Sequence, residues 1–242
     1  MQSIQWGRLS AEGVAIIVSI LLAFGIQAWW DQTEQRDDER IVLQSLLTDM
    51  SRLQIRLARD KRISEFLIES AVKLLQAEAD LPQPISEREI DKLIYNLQLT
   101  HAESLWESGP LNSLMMGGDI SRISNTKLVQ KLADLHTRIK RLQTNWRSES
   151  SNFQVDMQPF LRRNANLVQI VMAGTGMIPE FKFPELAVSN RRKHSELLSM
   201  TEFQGLLVEV IGLQQNAMLL VYPQLEESLS EVIGLLEAEL RV

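Results

Sequence analysis

The chain has 242 residues, a formal net charge of −6 and 45% hydrophobic residues, so it is long enough to bury a substantial core. It contains no cysteine, which excludes disulfide frameworks, thiolate metal sites and cysteine nucleophiles. No block of like charge is long enough to act as a nucleic-acid arm, so nucleic acid is not an expected partner. Aromatic residues make up only 6% of the chain, and the abundance of leucine, glutamate, glutamine and arginine favours helices over sheets.

The first predicted element is a transmembrane helix over residues 13–30, preceded by a short tail over residues 1–12. The run is apolar except for Ser19 and Gln27, and about 18–20 residues cross a hydrocarbon core of roughly 30 Å. A buried core helix and a cleaved signal peptide are the alternatives, but tryptophans directly after Ala28 make a poor cleavage site. Tryptophan rings prefer membrane interfaces, and the predicted interface anchors are Trp6, Trp29 and Trp30.

Small residues recur at every fourth position in this helix and therefore lie on one side of it. Such a strip lets a second helix approach closely, and its polar members Ser19 and Gln27 can hydrogen-bond across the contact. We predict an intramembrane packing surface here; the alternative is that these residue types are simply common in membrane helices. This packing strip consists of Ala11, Ala15, Ser19, Ala23 and Gln27.

The orientation of the helix in the membrane depends on a small difference in charge. Arg8 precedes the helix, Arg36 and Arg40 follow it, and the positive-inside rule counts only lysine and arginine. Five acids in residues 31–39 favour export of the C-terminal side, so we expect the soluble domain in the periplasm.

No glycine or proline occurs over residues 26–81, which predicts one helix that continues from the membrane into a juxtamembrane stalk over residues 31–81. At 1.5 Å per residue, the part beyond the membrane is about 70 Å long. Pro82 and Pro84 are expected to end it. Its apolar side follows steps of three and four residues and includes Leu43, Leu46, Met50, Leu53 and Leu57.

Residues 82–242 are predicted to form a helical bundle domain, in which Ser86 and Glu89 make a capping box for a second helix through about Leu99. Trp106, Gly109 and Pro110 are expected to end or interrupt that helix. A short helical turn then precedes the glycines at 117 and 118.

A third long helix is predicted from about Asn125, and Pro159 is expected to kink or end it. Its apolar residues keep a heptad rhythm, which is typical of a coiled-coil or bundle seam. The predicted bundle seam comprises Leu128, Leu132, Leu135, Ile139, Leu142, Trp146 and Phe153.

The last part of the chain is predicted to hold an irregular crossing loop over about residues 174–198 and then one more helix. Ser199 and Glu202 have capping-box spacing at the start of that helix, and Pro223 is expected to kink it. The expected fold is therefore all-α: an N-terminal transmembrane helix continuous with a long stalk helix, followed by an up-and-down antiparallel helical bundle.

The sequence shows no pattern that indicates an enzyme. His101, His136 and His194 lie in different segments without other ligands at metal spacing. The stretch over residues 174–176, Gly-Thr-Gly, lacks the lysine and the flanking strand of phosphate-binding loops. We therefore predict no catalytic residue, no cofactor-binding residue and no metal ligand.

Two stretches of the sequence carry a combined pattern. The first is the end of the predicted membrane helix, residues 21–30, Leu-Leu-Ala-Phe-Gly-Ile-Gln-Ala-Trp-Trp, followed by a charged helix. The second is residues 104–111, Ser-Leu-Trp-Glu-Ser-Gly-Pro-Leu, which contains Leu-x-x-Ser-Gly-x-Leu. Together they resemble a family of bacterial single-pass membrane proteins of unknown function, over most of the chain. The resemblance implies an N-terminal anchor in a bacterial inner membrane, and no catalytic residue carries over.

We therefore expect a non-enzymatic, membrane-anchored helical scaffold or accessory protein that acts through self-association or association with a larger membrane complex. The alternative is a helical domain that senses a ligand or stress and signals through a partner. The expected partners are the lipid bilayer and either a second copy or another membrane protein, with no cofactor and no small-molecule substrate. The expected location is the bacterial inner membrane, as a single-pass protein.

Overall fold

A computed structural model describes the backbone of residues 6–78, 85–98, 106, 108–174 and 187–241. It describes the side chains in these ranges except those of residues 6–18, 119, 149, 150 and 152. Within this part of the chain the structure is helical and holds no strand, which confirms the all-helical prediction. The α-helices are α1 (Trp6–Glu78), α2 (Glu87–Asn96), α3 (Gly109–Gly117), α4 (Thr126–Asn152), α5 (Gln158–Asn164), α6 (Leu167–Gly174), α7 (Thr201–Asn216) and α8 (Tyr222–Leu240).

Helix α1 is one continuous helix of 73 residues, about 110 Å long at 1.5 Å per residue. Its environment changes along its length. Every residue over 19–38 is exposed, whereas Leu43 and Leu46 are only 4% and 1% exposed. The stretch of α1 over residues 43–74 is therefore part of the bundle core, whereas residues 19–38 extend beyond the bundle.

The bundle has two apolar cores placed one after the other along α1. The first core joins residues 43–57 of α1 to α3, α4 and α8. The second core joins Ala71 and Leu74 of α1 to α2, α5, α6 and α7. In the second core, the rings of Phe160 and Phe203 stack at 5.5 Å between centroids. Burial in both cores at helical spacing is what holds these short helices against the long one.

Hydrogen bonds between α1 and the segment formed by α7 and α8 fix their relative direction. Near the start of the bundle, Arg40 of α1 donates to the carbonyl of Leu240. Farther along α1, the hydroxyl of Ser64 donates to the side chain of Gln214 at 2.7 Å. Residue numbers rise along α1 as they fall along α7 and α8, so the two run in opposite directions.

Helix α4 also runs opposite to α8. Lys131 forms an ion pair with Glu231 at 2.6 Å, and Arg138 donates to Gln224 at 3.2 Å. Helices α1 and α4 therefore share one direction, and the chain between them returns through α2 and α3.

The sequence predicts that Pro159 kinks or ends its helix and that Pro223 kinks its helix; the structure has a π-helical segment before each proline. The segment Phe153–Met157 ends two residues before Pro159, and the segment Ala217–Val221 ends two residues before Pro223. A proline removes one backbone donor and crowds the carbonyl four residues earlier. A wider turn just before it accommodates both effects, and in each case helix resumes directly afterwards.

Several predicted helix ends are confirmed. The hydroxyl of Ser86 accepts from the amide of Glu89 at 3.3 Å at the start of α2. The side chain of Asn125 accepts from the amide of Leu128 at 3.0 Å at the start of α4. Gly118 closes α3 with a φ of 76°, a left-handed conformation that favours glycine.

Two other predictions at helix ends are wrong. Ser199 does not cap α7, because it belongs to a 3-10 helix, His194–Ser199, and its hydroxyl donates to the carbonyl of Glu196. Gly109 and Pro110 do not end the second helix but begin α3, which Ser108 caps. Proline is favoured in a first helical turn because the missing donor has no partner there.

Candidate functional site

The described part of the packing strip lies on α1 outside the bundle. Ser19, Ala23 and Gln27 are exposed, and the side chains of Ala11 and Ala15 are outside the described residues. Trp29 and Trp30 are each 65% exposed, while the side chain of Trp6 is also outside the described residues. The large apolar side chains over residues 20–30 are 49–66% exposed in the part of the chain that the structure describes.

The bundle seam lies inside the protein. Six of its residues are at most 3% exposed, and Phe153 is half-buried against the second core. The six are Leu128, Leu132, Leu135, Ile139, Leu142 and Trp146. The ring of Trp146 lies 5.5 Å from that of Trp106 and 6.3 Å from that of Tyr222, between centroids. The apolar side of α4 is thus filled within one chain by α1, α3 and α8.

The described residues of the Leu-x-x-Ser-Gly-x-Leu motif attach α3 to α1. The buried indole of Trp106 donates to the carboxylate of Asp60 at 2.7 Å. The hydroxyl of Ser108 donates to Asp49 and accepts from the amide of Leu111. The motif therefore supplies two hydrogen bonds to α1 and one helix cap, which is a structural role.

A buried polar layer separates the two cores. The hydroxyl of Ser64 donates to Gln214 and lies 3.1 Å from the hydroxyl of Tyr222. Ser64, Gln214 and Tyr222 are at most 1% exposed, and Asp60 lies one turn before Ser64 on α1. Hydrogen bonding satisfies these groups, since a buried polar atom without a partner is costly. The layer fixes the register of α7 and α8 along α1.

A second buried polar cluster surrounds His194, which has no exposed surface. The amide of Asn166 donates to its Nε2 at 2.9 Å. The proton of the neutral ring is therefore on Nδ1, which donates to Asp91. The other oxygen of Asp91 accepts from Gln169 at 2.9 Å. The cluster joins α2, α6 and the segment that follows residue 187.

The sequence predictions treated the histidines separately and missed this cluster. Asp91 and His194 are 103 positions apart, so no local spacing indicates that they meet. One signal was present: Asp91 lies on the apolar side of α2 with Ile90 and Ile94, where a carboxylate requires a partner.

The cluster has the residue types of a hydrolase relay but not its geometry. The Nε2 atom that would accept a proton from a nucleophile is occupied by a backbone amide. The nearby hydroxyl of Ser195 donates to Glu87, which also accepts from the amides of His194 and Ser195. With both ring nitrogens engaged and the ring fully buried, the cluster acts as a clamp that holds residues 189–195 on α2 and α6.

His136 is half-buried between α3 and α4, and its Nε2 lies 3.0 Å from the side-chain oxygen of Asn112. Burial lowers the pKa of His136 from its ordinary value, and the nearby charge of Lys140 lowers it further. His101 and residues 175–176 of the Gly-Thr-Gly stretch lie outside the described residues. Within the part of the chain that the structure describes, no three acidic or histidine side chains are grouped so that they could hold a metal ion.

Among the described residues, one helix is long and apolar enough to cross a membrane, by length and composition alone, and it lies at the C-terminal end of the chain. Among the described residues, the continuous element Thr201–Leu240 contains an 18-residue window with a mean hydropathy of 1.3, of which 22% is buried. These properties are compatible with membrane association. The same element also contributes Phe203 to the second core and Leu229 to the first.

Comparison with known proteins does not assign the chain to a family. No family model matches the chain, no curated protein matches it, and no solved structure is similar to it.

Proposed function

We propose that this chain is a non-enzymatic accessory protein of a bacterial inner membrane. In this proposal residues 13–30 span the bilayer, and the packing strip binds the same helix of a second copy. Binding to a larger membrane complex through the same strip is the alternative within this proposal. The bundle then acts as the soluble part of the assembly and carries no reaction.

The observation that carries the proposal is the change of environment along α1. Residues 43–74 of α1 lie in the two cores, whereas the apolar residues over 20–30 of the same continuous helix are exposed among the described residues. Phe24 and Ile26 are 66% and 64% exposed. A contiguous apolar surface of this kind is unfavourable in water and is typical of contact with lipid or with another helix.

The course of the chain supports an up-and-down bundle on this anchor. Helix α1 leads away from the membrane, α2 and α3 bring the chain back, α4 leads away again, and α7 and α8 return. Arg40 and Leu240 meet at the end of the bundle nearest the membrane helix. We place the bundle in the periplasm because acids, and few basic residues, follow the anchor.

The element Thr201–Leu240 is the competing membrane segment, and its packing argues for a role in the bundle. Its buried residues Leu225, Leu229, Val232 and Leu236 are at most 1% exposed in the first core. Insertion into lipid would remove these side chains from α1 and α4. Residues 19–38 of α1 would lose no such contacts.

Membrane extraction of two matched double variants tests the anchor. Arginine near the centre of a membrane helix costs about 2.5–3.5 kcal/mol per residue. We expect Leu21→Arg/Leu22→Arg to move the full-length protein from alkali-washed membranes to the soluble fraction. The control, Leu219→Arg/Leu220→Arg, changes exposed leucines of the competing element, 73% and 57% exposed, and should remain in the membrane.

The reverse pattern would contradict the anchor and assign the membrane contact to Thr201–Leu240. Release of both variants would mean that neither segment spans the bilayer alone. A native protein that is soluble after the alkaline wash would exclude an integral membrane protein.

A further inference from the structure

A groove of about 250 Å³ lies between α4 and the π segment that joins α7 to α8. Two arginines of α4, Arg138 and Arg141, line the groove. Amide side chains of Asn145 in α4 and of Asn216 at the end of α7 also line it. Its apolar lining residues are Leu220, Val221 and Leu225, and Leu220 is 57% exposed.

The groove is where charge pairing along the seam between α4 and α8 stops. Lys131 of α4 pairs with Glu231, and the hydrogen bond from Lys131 lowers the pKa of that carboxyl group. Seven positions closer to the groove on each helix, Arg138 of α4 faces Gln224 of α8 instead of an acidic residue. Gln224 accepts one hydrogen bond from Arg138 at 3.2 Å. Among the described residues, neither Arg138 nor Arg141 forms an ion pair.

The π segment shapes this groove. The amide of Tyr222 bonds to the carbonyl of Ala217, five residues earlier, which is a wider turn than in an α-helix. The segment lies just before Pro223, which explains why the wide turn occurs there. Leu220 and Val221 of this segment line the same groove as Arg138 and Arg141.

We propose that this groove binds a small organic anion, with its carboxylate or phosphate group on Arg138 and Arg141 and its apolar part on Leu220. Each guanidinium presents several donors in a planar fork that matches these acidic groups. One donor of Arg138 is held by Gln224, which orients the fork and leaves others for the ligand. The amides supply further polar contacts, as the few polar groups of ligand pockets usually do.

The ligand is a soluble molecule rather than a lipid of the host bilayer. The groove lies beside Tyr222, which meets Ser64 of α1. Ser64 follows Trp30 by 34 positions of continuous helix, about 50 Å at 1.5 Å per residue. This step relies on the proposed anchor, but the binding site itself does not, and it is independent of association through the packing strip.

Calorimetric titration of hexanoate into the full-length protein in lipid nanodiscs at neutral pH tests the site. We expect saturable binding that acetate and hexanol do not reproduce, because acetate lacks the tail and hexanol lacks the charge. Arg141→Gln should raise the Kd at least about tenfold, as expected for the loss of a charge-assisted hydrogen bond. Arg52→Gln removes an exposed arginine of α1 and should leave the Kd unchanged.

Hexyl phosphate, titrated beside hexanoate, identifies the preferred acidic group, and tighter binding of either one supports the site. Arg141→Lys keeps the charge without the fork and should weaken binding less than Arg141→Gln. Absence of hexanoate binding at millimolar concentration would overturn the proposal. Equal binding of hexanol, equal binding of acetate, or equal loss in Arg52→Gln would also overturn it.

Discussion

Gly174 shows how closely two short helices approach in the second core. A Cβ atom at this last residue of α6 would lie 2.2 Å from two ring atoms of Tyr95, far inside van der Waals contact. We predict that Gly174→Ala lowers the free energy of unfolding by about 1–3 kcal/mol, as overpacked sites do. Chemical denaturation of the full-length protein measures this change.

Gly234→Ala is the matched control, because a Cβ atom at Gly234 in α8 meets nothing within 4 Å. Alanine within a helix is more favourable than glycine by about 0.5–1 kcal/mol, so this variant should be more stable than the native protein. Equal effects of the two substitutions would show that Tyr95 does not contact α6 as described.

His136 gives the bundle a dependence on pH whose sign follows from its surroundings. Burial and Lys140 lower its pKa in the folded protein, so the folded state binds a proton less readily than the unfolded chain. The contribution of His136 to the free energy of unfolding is complete above the pKa of the histidine in the unfolded chain, about 6.5. It is lost as the pH falls from that value through the lower pKa of the folded protein.

We predict that His136→Gln reduces the loss of stability between pH 7.5 and pH 5.5, since glutamine keeps a donor for Asn112 and does not titrate. Unfolding free energies of the native protein and this variant at both pH values give the comparison. A native protein that loses no more stability than the variant would remove His136 as the cause.

At the scale of single residues, the buried clamp around His194 could not be predicted from the sequence. The residue types were visible, but the contact between Asp91 and His194 joins segments 103 positions apart. The seam of α4 was visible because its apolar residues repeat within one helix. Local periodicity therefore identifies buried faces, while polar contacts between distant segments depend on the fold as a whole.

At the scale of helices, two serines in the same sequence pattern behave differently. Ser86 precedes Glu89, and Ser199 precedes Glu202, each by three positions. Only Ser86 caps a helix, because Ser199 lies in a 3-10 helix that continues from the clamp around His194. The capping box thus indicates a helix start, but preceding structure decides which residue occupies the cap.

We predict that Ser86→Ala lowers the free energy of unfolding by about 1 kcal/mol, the usual cost of losing a cap. Ser199→Ala removes only an exposed bond to the carbonyl of Glu196 and should change stability less. Denaturation of the two variants side by side measures both effects. A larger loss for Ser199→Ala would place the functional cap at Ser199 after all.

The prolines at 159 and 223 also show the limit of local prediction. The sequence indicates that a helix is disturbed near each proline, because a donor is lost. It does not show whether the helix ends, bends or widens. Packing decides this: α7 and α8 contact α1 along one continuous element, so a π turn preserves the contact where a break would lose it.

At the scale of the whole molecule, α1 connects two kinds of surface. Residues 43–74 contribute buried side chains to the two cores of the same chain, whereas the apolar side chains over residues 20–30 are exposed. Composition and the absence of helix breakers were enough to predict a long helix. These features did not show that residues 43–74 contribute to both cores. The side chains that bury this part of α1 come from helices between residues 87 and 240, which the sequence of α1 does not reveal.

The molecular mass of the full-length protein in mild detergent tests the central claim most directly. The native protein is compared with Ala15→Leu/Ser19→Leu/Ala23→Leu, which fills the packing strip. A control, Val14→Leu/Ile17→Phe/Leu21→Phe, adds bulk to the opposite side of a regular helix. We predict a defined oligomer for the native protein and the control, and a monomer for the strip variant. A native protein that is monomeric, or three proteins of equal mass, would contradict association through the strip.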